Sequence, residues 1–313
     1  MIIKRRWAIV AALAALAALS LVLAACGGLS SDSGNGNSSS GSNSKNVTVR
    51  LGWVDFTEQA ILSQIYGQAL AKQGYKVEYQ KYASRELADP ALFSGKTDML
   101  IEYAGSDLTF LQGKPTSDDQ QVLNDLKAKL QAKGVTALDQ APMSDQQAIT
   151  MTQQGSTKYN VKTLSDLAKP APQLVFGGPP ECKDRATCYK GMQDTYGIHF
   201  KSFKGLAQGS LKYQALLANQ IQVALSFSTD GIIAKQNLVT LQDDKKLFPP
   251  DHAVPIASND FVSKAGSDFQ STVNRISATI TTDDVTQLNA KVDIDNQDPD
   301  QVATQFAQSK GLV

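Results

Sequence analysis

VRLGWVDFTEQAILSQIYGQALAKQG, residues 49–74, is the stretch whose reading decides the fold class. Residues 49–53 form a short apolar strand. The chain then turns at Asp55-Phe56-Thr57-Glu58 and its period changes. Ile61, Leu62, Ile65, Tyr66 and Leu70 recur three and four residues apart, the buried stripe of an amphipathic helix. Asp55 followed three residues later by Glu58 has capping-box spacing, so Glu58 is expected to cap the helix and Gln59 to face a pocket. Gly74 closes the helix. Open α/β sheets bind ligands just beyond the carboxyl ends of their strands, where helices begin. Trp53 to Gln59 therefore stands where a ligand cleft is expected. An ordinary first βα unit without ligand contact is the other reading of the same spacing.

Outward from this unit the strand–helix alternation continues, the signature of an α/β protein. Residues 76–82 and 96–103 read as strands, 84–94 as a helix carrying Pro90, and 117–133 as a helix capped by its acidic start and closed by Gly134. Residues 140–160 break the rhythm with polar side chains and read as a first crossing into a second lobe. There, 163–167 starts a short helix, 174–176 is a strand, and 221–227 (IQVALSF) is a further buried strand ending at Ser228-Thr229-Asp230-Gly231. Residues 247–257 read as the return crossing, and 268–312 as a helical tail packing on the first lobe. Two strands end in hydroxyl residues beside an aromatic ring: Tyr103 with Ser106, and Phe227 with Ser228 and Thr229. From opposite lobes they would face each other across a cleft.

The 313 residues suffice for two cores of common size. Of 30 basic residues, Lys4, Arg5 and Arg6 belong to an N-terminal leader; the remaining 27 face 30 acidic ones, a formal charge of −3. That charge gives no basic footprint for nucleic acid. Lys4-Arg5-Arg6 followed by an apolar run to Ala25 is a signal-peptide pattern, and the run is also long enough for a permanent membrane anchor. Leu23-Ala24-Ala25-Cys26-Gly27 resembles a bacterial lipobox, which makes Cys26 the lipidated first residue of the mature chain. Residues 27–44, rich in Gly, Ser and Asn, form a flexible tether. In an oxidising compartment Cys182 and Cys188 are expected to form a disulfide; two free thiols are the alternative. His199 and His252 are the only histidines and lie far from ligand spacing with the cysteines, so no metal site and no cofactor is expected. No G-x-S-x-G elbow or H-E-x-x-H motif points to an enzyme.

Gly52 with Phe56-Thr57-Glu58-Gln59, DMLIEYAGS (98–106), TLSDL (163–167), Arg185, LKYQAL (211–216), FSTDG (227–231) and Asp243-Asp244-Lys245 with Phe248-Pro249-Pro250 occur in one order over nearly the whole mature chain. In them the sequence resembles the substrate-binding lipoproteins of ABC importers for glycine betaine, choline, carnitine and proline betaine, the ProX-like osmoprotectant family. The resemblance implies a two-lobed type II periplasmic-binding-protein fold with two crossing segments and the ligand in the inter-lobe cleft. That agrees with the division drawn from rhythm and composition: 1–25 as the leader, 26–45 as the tether, 46–142 and 250–313 as lobe 1, and 143–249 as lobe 2. The resemblance further implies a monomer, lipid-anchored at the outer face of the cell membrane, that delivers a small solute to permease and ATPase subunits.

Members of that family hold a quaternary ammonium in a tyrosine cage by cation–π attraction. On this chain Tyr103 stands at a cage position and Ser106 at the neighbouring hydroxyl. Phe227 replaces a cage tyrosine. Asp145 falls at a pocket acid and Arg185 at the carboxylate-binding arginine, with bracing of the cysteine loop as its alternative role. The tyrosine expected near Gln147 is absent, and Asp251 replaces the one after Pro249-Pro250. Trp53 is expected to add an aromatic wall, and Thr229 to reach the pocket. Asp145 or Asp251 could meet a cation by direct charge pairing; a larger or more polar solute is the alternative. A ligand sensor is a further alternative to import.

Overall fold

The computed structural model describes residues 46–207 and 209–313. The leader, the tether and Cys26 lie outside the described residues. No helix among the described residues is long and apolar enough to cross a membrane.

The first half runs β1 (Thr48–Val54), α1 (Thr57–Lys72), β2 (Lys76–Tyr82), α2 (Arg85–Phe93), β3 (Met99–Tyr103), α3 (Ala104–Phe110), α4 (Asp119–Gln131) and β4 (Val135–Ala137). The second runs β5 (Gln147–Thr152), α5 (Gln153–Tyr159), α6 (Leu164–Leu167), β6 (Val175–Gly178), α7 (Tyr189–Tyr196), β7 (Ser202–Gly205), α8 (Ser210–Leu217), β8 (Val223–Phe227), α9 (Ile232–Lys235) and β9 (Leu238–Leu241). The chain then returns through β10 (Ala253–Ser258), α10 (Asn259–Ala265), α11 (Ser267–Ser277), α12 (Thr282–Asp293) and α13 (Pro299–Ser309).

Two five-stranded sheets result, ordered β2-β1-β3-β10-β4 and β7-β6-β8-β5-β9. In each, three strands are parallel and the fourth, the one entered from a crossing, runs antiparallel to its neighbours. This is the type II two-lobed architecture, with helices on the sheet faces and one crossing in each direction. The crossings lie side by side. Ser144 and His252 form an antiparallel bridge, and the Asp145 N–H donates to the Asp251 carbonyl at 2.9 Å.

The α1 stripe is buried as its period requires: Ile61, Leu62, Ile65, Tyr66 and Leu70 are all inaccessible. They pack with Phe269, Val273, Val302 and Phe306 of the C-terminal helices, and the Tyr66 hydroxyl meets Ser277 Oγ at 2.8 Å. The tail therefore belongs to the first lobe's core. A second cluster around Leu100, Leu126 and Ile256 fills the opposite face of that sheet.

Three expectations are corrected. The capping box at the start of α1 does not form: Phe56 holds the N-cap position in extended backbone without a side-chain cap. Asp55 pairs with Lys81 at 3.1 Å instead, and Glu58, three residues before Ile61, follows the same stripe inward. The first crossing is shorter than residues 140–160, since Gln147–Thr152 is a strand inside the second sheet. Its polar side chains are used within the sheet; Thr150 bonds Ser226 of β8. Likewise 254–257 is not crossing but strand β10, paired on both sides with β3 and β4.

Cys182 and Cys188 are joined, S–S 1.95 Å. Both are fully buried against Phe176 and Tyr189. The disulfide closes the base of the loop that carries Arg185.

Candidate functional site

The ends of β1, β3 and β8 and the two crossing segments surround a cavity of about 250 Å³. Lobe 1 lines it with Phe56, Gln59, Arg85, Glu102, Tyr103 and Ser106. The second lobe contributes Gln147, Glu181, Arg185 and Phe227, and the crossings contribute Asp145 and Asp251.

Two rings form the lobe 1 wall. Phe56 and Tyr103 stack with centroids 6.4 Å apart and planes at 29°. Phe56 owes its place to the extended backbone before α1. Phe227, at the end of β8, is the ring of the other side. Its other neighbour is a cation of the protein itself: Lys212 Nζ lies 5.0 Å from the Phe227 centroid and is held by Asp230 at 3.3 Å.

Asp251 reaches the cavity from the return crossing. Its Oδ1 accepts from the N–H groups of Gly105 and Ser106, 2.8 and 2.9 Å, and its Oδ2 from the Ser106 hydroxyl. Gly105 is needed there because a Cβ would lie 2.5 Å from the Pro250 carbonyl oxygen. Burial pushes the Asp251 carboxyl up to about 6 although the Ser106 bonds oppose it. Asp145 stands on the partner crossing. Burial, and then the nearby charge of Glu58, raise its carboxyl well above the usual range.

Gln59 donates to the Ile101 carbonyl at 2.7 Å while lining the cavity. Gln147, 7% exposed, lines it too, and its Oε1 has no hydrogen-bond partner among the described residues. Arg185 reaches across the cleft from lobe 2 to lobe 1, donating to both Glu86 oxygens at 3.1 and 3.2 Å, with Glu181 3.8 Å away. Trp53 is not brought to the cavity; its ring lies 5.6 Å from the Lys81 ammonium. Thr229 sits behind the cavity, in a smaller space shared with Glu58, Asp145 and Asn289.

Glu58 is the residue that the capping assignment hid. Its Oε1 accepts from the Tyr103 hydroxyl at 2.6 Å. Its Oε2 accepts from Asn289 Nδ2 at 2.8 Å and lies 2.5 Å from the Thr229 hydroxyl. The helical stripe gave the signal, because position 58 precedes 61, 62 and 65 on one face. Burial raises the Glu58 carboxyl, and burial followed by the charge of Glu58 raises Tyr103.

Arg85 and Glu102 form the floor on the lobe 1 side. Arg85 donates through Nε and a terminal nitrogen to Glu102 Oε2 at 2.8 and 2.6 Å. Burial opposes the charge of Arg85, but Glu102 and Asp107 outweigh it and hold the guanidinium protonated. Beneath it, Asp89 and Asp107 are wholly buried, and none of their four carboxyl oxygens has a hydrogen-bond partner among the described residues. Burial, then the charge of Glu102, raises the Asp89 carboxyl well above the ordinary range. The same two causes raise Asp107 to about 7. Its folded-state pKa is raised, so its contribution to stability is full below the ordinary carboxyl range near 4 and is lost as pH rises to about 7. Urea unfolding of Asp107→Asn should therefore lose less stability between pH 5 and 7 than the unsubstituted chain. The difference should be about 1.4 kcal/mol per pH unit at most; equal slopes would contradict the raised Asp107 carboxyl.

Comparison with known proteins gives the family. The family model described as the substrate-binding domain of ABC-type glycine betaine transport systems matches residues 47–309. A carnitine transport binding protein of Listeria monocytogenes is 31% identical over 271 residues, covering 85% of this chain and 87% of that protein. A glycine-betaine-binding protein of Pseudomonas aeruginosa is 30% identical over 278 residues, covering 85% and 89%. A crystal structure described as a glycine betaine/carnitine/choline ABC transporter superposes with a TM-score of 0.65 at 27% identity, covering 84% of this chain and 99% of that one. The chain belongs to the family of substrate-binding domains of ABC-type glycine betaine transport systems: it is a solute-binding protein, not an enzyme.

Proposed function

We propose that this chain is the extracytoplasmic receptor of an ABC importer, tethered by lipid at Cys26, that captures a small quaternary-ammonium solute between its lobes and delivers it to a permease. The observation that carries this reading is a cavity of about 250 Å³ with rings from both lobes and carboxylates on the crossings. Phe56 and Tyr103 on one side and Phe227 on the other offer π faces to a cation, and Asp251 offers negative charge, with the Asp145 carboxyl beside it. The volume favours a compact solute over a larger one. Glycine betaine, choline and carnitine are the solutes to test first, the first two for size and the third for the relatives' names.

Thermal unfolding of the protein with each solute tests the reading. A solute at 100 times its Kd adds about 2.7 kcal/mol to stability. At least one quaternary amine should raise Tm, and sugars or neutral amino acids should not. Tyr103→Ala and Phe227→Ala should each weaken binding by about 0.5–2 kcal/mol. Stabilisation only by solutes without a quaternary nitrogen, or wild-type affinity in both variants, would contradict it.

A further inference from the structure

We propose that closing the two lobes seats one proton among Glu58, Thr229 and Asp145, so that solute capture is coupled to proton uptake. This rests on the receptor reading for its physiological meaning, but the proton site is argued from hydrogen atoms. Thr229 Oγ1 lies 2.5 Å from Glu58 Oε2 and 2.7 Å from Asp145 Oδ1. A threonine hydroxyl has one hydrogen, and ionised carboxylates have none. If that hydrogen points to Asp145, the approach to Glu58 is a hydrogen bond only when Glu58 carries a proton and donates it. If it points to Glu58, the proton sits on Asp145. In either arrangement three oxygens in a row share two hydrogens, one of them taken from solvent.

The three residues come from different parts of the fold. Glu58 lies on α1 of lobe 1, Thr229 follows β8 of lobe 2, and Asp145 lies on the first crossing. The site is therefore built from both lobes and the crossing between them, and Asn289 of α12 ties Glu58 Oε2 to the Thr229 carbonyl. It is closed from water, with Glu58, Asp145 and Thr229 all at 4% exposure or less. The charged and titratable groups facing it are Tyr103 from β3, Asp230 after β8, Asp293 on α12, and Lys212 with Tyr213 on α8. Among the described residues no cation pairs with Glu58 or Asp145, since Lys212 is committed to Asp230. Two buried carboxylates facing further acids cannot both stay ionised. Burial raises both carboxyls, and for Asp145 the charge of Glu58 adds to it. Tyr103, the cavity ring, donates to the other oxygen of Glu58, which ties the proton to the solute wall.

The sign follows. On this proposal the three oxygens hold the proton more tightly in the closed form than when Glu58 is drawn away from Thr229 and Asp145, because burial raises both carboxyls and the charge of Glu58 adds to it for Asp145. Closure takes up a proton between the open and closed pKa values, so solute affinity falls as pH rises through that window, by up to about tenfold per pH unit. Glu58→Gln presents a fixed N–H in place of the bound proton. Its binding should take up no proton at this site, and the pH dependence left between 5 and 7 should be that of Asp251 alone.

Two measurements test this. The first is a carboxyl-carbon NMR titration of Glu58 and Asp145, without solute and with saturating glycine betaine or choline. The protonated fraction of the pair at pH 6 should rise on adding solute, and an equal fraction with and without solute would overturn the coupling. Both titrating near 4 in every state would overturn the proposal. The second is calorimetric titration with glycine betaine and choline at pH 6, in two buffers of different ionisation enthalpy. The expected result is uptake approaching one proton per solute bound, with only the share of Asp251 left in Glu58→Gln. Binding heat with no proton uptake and a Kd unchanged between pH 5 and 7 would overturn it. If neither solute gives heat, the receptor reading fails for those solutes, and both carboxyls titrating near 4 without solute would overturn the proton site as well.

Discussion

Replacing Arg85 by methionine should remove about 3–5 kcal/mol of stability, among the largest losses available to a single substitution in this chain. Among the described residues Arg85 is the one cation paired to Glu102, whose side chain is only 4% exposed. Beneath the same guanidinium lie Asp89 and Asp107, buried and without a hydrogen-bond partner among the described residues. Taking away the positive charge leaves Glu102 desolvated and unpaired beside that dyad. Methionine fills most of the volume, so the effect is electrostatic and not a cavity. The midpoint in urea should fall with an unchanged slope. Removing the opposing charge as well, in Arg85→Met with Glu102→Leu, should restore most of the loss, because a buried pair replaced by apolar groups is often neutral. A loss below about 1 kcal/mol for the single substitution would show that the pair is solvated, as surface pairs are.

Lys212→Met should cost about 3 kcal/mol, the low end for breaking a buried pair. Lys212 is 1% exposed and its ammonium meets Asp230 Oδ2 at 3.3 Å. That oxygen keeps two other donors, the Phe227 N–H at 2.8 Å and the Tyr213 hydroxyl, which is why the loss stays at the low end. The same lysine lies against the Tyr213 and Phe227 rings, 4.9 and 5.0 Å from their centroids. Its removal frees the Phe227 ring from an internal cation, so a cationic solute on the cavity side should bind slightly tighter to the folded variant. Urea unfolding of Lys212→Met, Asp230→Asn and the double variant gives the coupling energy. A coupling near zero would mean that the ammonium is held by the rings alone.

The two-lobed fold was legible because the β1–α1 period changes once, from apolar strand to helical stripe, and because the same alternation resumes after each crossing. The crossings themselves were harder to bound. Gln147 to Thr152 reads as polar, yet Thr150 spends its hydroxyl on Ser226 inside the sheet. Pro255 marks a break in sequence, yet it sits in register with Ile101 inside β10. In the site, the rings Tyr103 and Phe227 could be placed because they end buried strands. Glu58 was masked by a local pattern, the D-x-x-E spacing, that competes with the helical stripe and loses to burial. Arg185 was read against a ligand carboxylate. Its partner Glu86 lies 99 residues away on the other lobe, and pairing over that separation leaves no trace in local sequence. The buried acids Asp89 and Asp107 were missed for the same reason.

A crystal structure of the protein grown with the quaternary amine that most raises its Tm is the most direct test of capture between the lobes. The quaternary nitrogen should lie within about 6 Å of the Tyr103 and Phe227 ring centroids, on the side of Asp145 and Asp251. A solute held outside the cleft, or seated with its nitrogen against Arg185 and away from both rings, would contradict the account.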